Sequence, residues 1–209
     1  MRTAMFKAWV GAKYGSPENL VGGRKVLVLG ESHHADEHPV GSVVPEMTHD
    51  TMRLYALGTR ARWRRTFDNV AWAVSGKSRQ QLERDGKRGE PEVWDSLAFY
   101  NYIPVVLAPH SRSNRPTSAL FGGERTISAF EQVLAETKPE TVLVWGYELF
   151  PWVIRNHHPD YDGHPWSFSG KWIDLPRTPP VRAVRMKHPS TGFSAAAWHD
   201  VVRRALDQQ

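Results

Sequence analysis

Cysteine is absent from the 209 residues. Disulfides, thiolate zinc sites, a cysteine nucleophile and a cysteine-held iron–sulfur cluster are therefore excluded. No apolar stretch approaches the ~20 residues of a membrane-spanning helix, and Met1 to Lys13 contain no apolar run ending in a small-residue cleavage site. A cytoplasmic protein without a membrane partner is the expectation. Neither Ser32 nor Ser190 lies in a Gly-x-Ser-x-Gly elbow, which argues against a serine hydrolase, and no His-Glu-x-x-His pattern occurs. Acidic residues are in the minority, 22 against 27 Lys and Arg, for a net charge of +5 and a pI near 9.6. That balance suits a polyanionic partner such as nucleic acid. The basic residues cluster at Arg53, Arg60, Arg62, Arg64 and Arg65, at Arg112 and Arg115, and at Arg182, Arg185 and Lys187. Any single cluster is more often a solvated face than a binding surface.

The chain has the length of one α/β domain, so residues 1–209 are read as a single domain. Lys25 to Leu29 is a short β-branched-rich run ending in Gly30, the pattern of a buried parallel strand that feeds a loop at its carboxyl end. Thr141 to Trp145 repeats the pattern and ends in Gly146. It follows a helical spacing of Ile127, Phe130, Val133 and Leu134 and the breaker Lys138-Pro139. Leu97 to Tyr100 and Val181 to Arg185 complete a set of four expected strands. Helices are expected over 50–75, 126–137, 149–156 and 194–207, the last capped by Ser194. Ser78 to Pro91 and Tyr161 to Pro180 read as loops or insertions. Alternating strands and helices predict an α/β fold: three αβα layers around a short, mainly parallel, four-stranded sheet, with ligands bound beyond the strands' carboxyl ends.

Three segments at those ends carry chemistry: Gly30-Glu31-Ser32-His33-His34, Phe99-Tyr100-Asn101-Tyr102-Ile103-Pro104, and Lys187-His188-Pro189-Ser190-Thr191-Gly192-Phe193. A carboxylate such as Glu31 aligns water or stabilises a cation, and an imidazole such as His188 donates to a departing anion. The Asn101 amide offers a donor and an acceptor together, which suits the edge of a base. Pro189 and Ser190 form a rigid turn whose backbone N–H and hydroxyl suit a phosphate. Phe99, Tyr100 or Tyr102 supplies a stacking face or, more commonly for aromatics at a strand end, core.

In order and spacing these segments resemble the uracil-DNA glycosylase superfamily, from Lys25 to about Leu206. The resemblance implies a monofunctional DNA glycosylase that hydrolyses the N-glycosidic bond of uracil or another modified base flipped out of DNA, leaving an abasic site. It implies Glu31 and His188 as catalytic residues, Asn101, Gly30 and Ser32 around the base, and Arg185, Lys187, Ser190 and Phe193 against DNA. Phe193 is the candidate wedge entering the base stack, the alternative being a hydrophobic residue that starts the last helix. Superfamily members with glutamate directly after the glycine usually carry an iron–sulfur cluster, which this chain cannot build, and His33 and His34 stand where proline and glycine or tyrosine are usual. The chain is thus similar to a divergent member that needs neither cofactor nor metal. DNA is the expected partner, with no obligate protein partner and a monomeric state.

Other readings remain beside this one. His33, His34, Asp36, His38, His49 and Asp50 are a local set of metal-ligand types, although adjacent histidines point apart in most backbones. Asp36 is also a second carboxylate near Glu31. Nine tryptophans, Trp145, Trp152, Trp166, Trp172 and Trp198 among them, exceed what a small core uses, and those in Tyr161 to Pro180 suit an enlarged base pocket. The substrate alternatives are a deaminated purine or a hypermodified viral pyrimidine, the second making the protein an antiviral defence glycosylase. The non-enzymatic alternative is a nucleic-acid-binding module of the same fold.

Overall fold

A computed structural model describes residues 5–35, 37–58, 61–108, 115–160, 171–190 and 192–207. Its strands are β1 (Trp9–Val10), β2 (Val26–Gly30), β3 (His33–His34), β4 (Leu97–Asn101), β5 (Val106–Leu107), β6 (Thr141–Trp145), β7 (Trp172–Leu175) and β8 (Val181–Met186). The helices are α1 (Met47–Thr51), which runs into a π-helical turn (Met52–Ala56), α2 (Ala61–Ser75), α3 (Arg79–Arg84), α4 (Glu90–Trp94), α5 (Ser118–Phe121), α6 (Glu124–Thr137), α7 (Leu149–His157) and α8 (Ala195–Asp207). None of them is long and apolar enough to cross a membrane, among the described residues.

The main sheet has six strands in the order β1-β4-β2-β6-β8-β7. Four strands, β4, β2, β6 and β8, run parallel, while β1 and β7 add antiparallel edges. The four-stranded expectation is therefore corrected to six. The edges escaped because β1 spans two residues and β7 lies in a segment whose Pro, Gly and Trp content reads as loop. β3 and β5 pair separately as a two-stranded parallel ribbon.

All five residues of β2, β4 and β6 are buried, as continuous apolar runs require in a sheet covered on both faces. Alternate strand residues feed two cores. Leu27, Leu29, Ala98, Val142 and Val144 pack with Phe130, Val133 and Leu134 of α6 and Leu149, Val153 and Ile154 of α7. Val26, Val28, Leu97, Phe99, Leu143 and Val184 pack with Phe67, Val70 and Val74 of α2 and Trp198, Val201 and Val202 of α8. Each buried Val, Leu, Ile or Phe among these contributes about 1.5–3 kcal/mol relative to exposure.

Local chemistry sets the element ends. α6 stops at Lys138, which adopts the left-handed conformation with φ 47° just before Pro139. α8 starts beyond Ser194, whose hydroxyl accepts from the Ala197 N–H at 3.3 Å. Two expectations fail. The helix expected over 50–75 is interrupted after the π-helical turn, where a Cβ on Gly58 would strike the Arg53 and Leu54 carbonyl oxygens and Arg64 Nη1 donates to the Gly58 carbonyl at 2.7 Å. The loop expected over 78–91 holds α3 and the start of α4, because Ser78 and Gln81 form a reciprocal capping box and Pro91 occupies the first turn of α4.

Strand order positions the site. From β2 the chain goes to β4 on one side and then crosses to β6 on the other, so the order reverses between β2 and β6. In a doubly wound sheet the crevice for ligands opens there, beyond the carboxyl ends. Glu31 follows β2, and Gly146, Tyr147 and Glu148 follow β6.

Candidate functional site

The β2 and β4 ends interlock. Gly30 and Asn101 are register partners, and the Asn101 side chain lies directly over Gly30. A Cβ at position 30 would collide with Asn101 Oδ1 and sit 3.3 Å from Phe99 Cζ, so glycine is what lets the amide in. Asn101 is 5% exposed. Its Nδ2 donates to the Ser32 carbonyl at 3.2 Å, which orients the amide. Backbone N–H groups of Tyr102 and Ile103 donate to the Gly30 and Glu31 carbonyls, both at 2.9 Å. A buried side-chain network holds this corner. The Tyr102 hydroxyl accepts from Asn156 Nδ2 at 2.8 Å and lies 3.2 Å from His157 Nε2, while His157 Nδ1 lies 2.6 Å from Glu131 Oε1.

Glu31 is half-buried. Burial pushes its carboxyl above the ordinary carboxylate range; Arg115 opposes the shift and Glu148 adds to it. Arg115 and Glu148 are themselves paired at 3.0 Å, a dipolar pair beside the crevice.

At β8 the loop turns through His188, Pro189 and Ser190. His188 Nδ1 lies 3.0 Å from Ser190 Oγ, which orients the ring, and the imidazole stands edge-on to Trp145 at 6.3 Å. The loop is anchored from behind by Asn69 of α2, whose Nδ2 donates to the Pro189 carbonyl at 2.7 Å in a buried contact. Lys187 Nζ donates to the Gly192 carbonyl at 2.8 Å, so its ammonium closes the loop. Arg185 has no carboxylate partner among the described residues; its guanidinium covers the Tyr147 ring at 4.7 Å. Phe193 stacks on Trp198, 6.1 Å between centroids and 13° from parallel. That is the packing of a residue starting the last helix, and a wedge role requires it to leave this ring.

Glu31, Asn101 and His188 thus lie at the carboxyl ends of three parallel strands. β2 and β8 flank β6, so the strand ends that lead to Glu31 and His188 are two strand spacings apart, about 10 Å. Phe99, Tyr100 and Tyr102 are at most 1% exposed: all three are core, and the Phe99 ring reaches Gly30. The histidine set does not converge. His33 is buried between the Thr48 and Thr51 hydroxyls at 3.1 and 3.3 Å, and burial lowers its pKa to about 3. His34 Nδ1 lies 2.6 Å from the Ala108 carbonyl and His49 Nε2 3.1 Å from that of Ala8. No three metal-ligand types come together among the described residues. Asp36, Arg60, Arg112, Trp166 and Thr191 lie outside the described residues, as do residues 161–170, half of the segment from Tyr161 to Pro180.

Asn69 and Tyr147 escaped the reading of the sequence. An asparagine between Phe67 and Val70 on an apolar helix face is a signal that something polar is buried there; Tyr147 has no sequence signal beyond following Gly146. No protein-family model matches the chain, and no curated protein matches it.

Proposed function

We propose that the protein hydrolyses the N-glycosidic bond of a base flipped out of DNA. The observation that carries this reading is that a half-buried carboxylate of raised pKa, Glu31, follows β2 at the edge of the crevice where the strand order reverses, while an oriented amide, Asn101, ends the neighbouring strand β4. His188 stands on the far side of that crevice, oriented by Ser190.

The chemistry follows from these groups. Breaking the bond between the sugar C1′ and the base nitrogen sends the electron pair to the base and leaves positive charge on the sugar. The Glu31 carboxylate stabilises that cation and aligns a water. The water oxygen bonds to C1′, and its proton passes to the carboxylate, whose raised pKa makes it a stronger acceptor, and finally to the base. The His188 imidazole hydrogen-bonds the departing base anion. The Asn101 amide reads the base edge. With its Nδ2 committed on one side to Ser32, its acceptor oxygen is fixed over Gly30. The attacking group is water rather than an amine, because Lys187, the lysine within the motif loops, is held by the Gly192 carbonyl. The product is an abasic site in an intact strand. Uracil is the first substrate to try; a deaminated purine or a hypermodified pyrimidine comes next.

The test is single-turnover incubation with oligonucleotides carrying uracil, hypoxanthine, xanthine or hydroxymethylated and glucosylated cytosine, with EDTA in every reaction, followed by alkaline cleavage at abasic sites. An alkali-labile break at one of these bases, lost in Glu31→Gln, is the expected result. DNA binding without any product points to a binding module, and EDTA-sensitive product contradicts the metal-independent mechanism.

A further inference from the structure

Tyr147 stands out among the large hydrophobic side chains left in solvent. It is 45% exposed and sits in the short turn between β6 and α7, two residues beyond Trp145 and next to Glu148, whose charge reaches Glu31. Packing does not explain it, since neither core includes it. One face is covered by the Arg185 guanidinium at 4.7 Å. The nearby carboxylate, Glu148, is committed to Arg115 at 3.0 Å. Arg185 therefore keeps an unneutralised charge among the described residues, with its Nε buried and without a hydrogen-bond partner. Gly146, just before Tyr147, has φ 102° and open space where a Cβ would stand.

An exposed aromatic ring backed by an unpaired arginine is the pair of features that single-stranded nucleic acid uses: the ring stacks a base of any identity, and the cation attracts the backbone. We infer that Tyr147, stiffened by Arg185, is a stacking platform for an unpaired base of DNA beside the crevice, and that the protein engages single-stranded or locally opened DNA there. The inference rests on the reading of the site as a DNA-processing crevice. It reassigns Arg185 from a phosphate grip alone to the support of a stacking residue. A Watson–Crick-paired base inside a duplex has no free face to offer, so the platform discriminates by strandedness and not by sequence.

The test is fluorescence anisotropy with short labelled oligothymidine and mixed-sequence single strands, and with a duplex of the same sequence, using the full chain and its Tyr147→Ala and Tyr147→Trp variants, each first checked for an unchanged melting temperature. Tyr147→Ala is expected to weaken single-strand binding by roughly 5- to 100-fold, the range seen when a base-stacking aromatic is truncated. Duplex binding should stay within a few-fold and the salt dependence should be unchanged, because stacking releases no counterions. Tyr147→Trp should restore the single-strand affinity. Unchanged affinity in Tyr147→Ala, an equal loss on duplex, or no single-strand binding by the parent protein overturns the inference. Base release, read in the abasic-site assay, tests the glycosylase reading separately.

Discussion

Gly30→Ala probes the site through a single methyl group. The Cβ would lie inside the van der Waals shell of Asn101 Oδ1, at a separation real Cβ atoms do not tolerate, and 3.3 Å from Phe99 Cζ. Phe99 is 1% exposed and ringed by Phe67, Trp94 and Trp145, so the amide must give way. Overpacking of this kind costs about 1–3 kcal/mol. Displacing Asn101 also breaks its bond to the Ser32 carbonyl, about 1 kcal/mol more. The sum, about 2–4 kcal/mol, corresponds to a fall in Tm of roughly 5–15 °C for a chain of this size. The assay is a double-mutant cycle in urea. With Asn101→Ala in the background the clash partner is gone, and Gly30→Ala should then cost less than about 1 kcal/mol, a coupling of at least ~1 kcal/mol. Equal costs in the two backgrounds, or a Gly30→Ala protein as stable as the parent, would refute the reasoning that this glycine exists to seat the amide.

Three further outcomes follow from individual groups. Glu31→Gln should be more stable than the parent at neutral pH: a carboxyl whose folded pKa is raised destabilises the fold when ionised, and this cost vanishes as pH falls toward its ordinary value of 4.5. Melting temperatures across pH should therefore converge in acid, and a gap that widens there contradicts the assignment. His33 is held neutral with a pKa near 3 against an ordinary 6.5, so stability should decline as pH drops from 6.5 toward 3, and His33→Gln should flatten that slope in urea titrations. Asn69→Ala leaves the buried Pro189 carbonyl without its donor, at a cost of about 1–3 kcal/mol. It should speed hydrogen exchange at Lys187, His188 and Ser190 while leaving β2 protected; unchanged exchange there would show that the loop does not depend on α2.

The parts of the fold legible in the sequence are those fixed by short-range chemistry. β6 matches Thr141 to Trp145 residue for residue, and β2 is shifted by one, because runs apolar on both faces admit few alternatives to a buried parallel strand. α8 was legible from Ser194 and the alanines after it. The break at Gly58 was not, since it depends on carbonyls one turn back, nor was β7, an edge strand held by pairing with β8 and by packing of Leu175 into the core. The candidate site divides in the same way. Its motif residues sit where parallel strands end, which apolar runs reveal. The groups that orient them do not share a segment: Asn69 and Pro189 meet across 120 residues, and Arg185 meets Tyr147 only because β8 lies beside β6. The histidines of the first loop look like ligands in one dimension. In the fold each bonds to a different neighbour, His33 to two threonines and His34 to the Ala108 carbonyl.

The proposed role of Glu31 in the chemistry stands or falls on the single-turnover rate of base release by the parent protein and Glu31→Gln on the best substrate of the panel, with DNA affinity measured in parallel. The variant is expected to be slower by about 10²-fold or more, the scale of a lost general base, with affinity within a few-fold of the parent. An unchanged rate in Glu31→Gln would contradict that role.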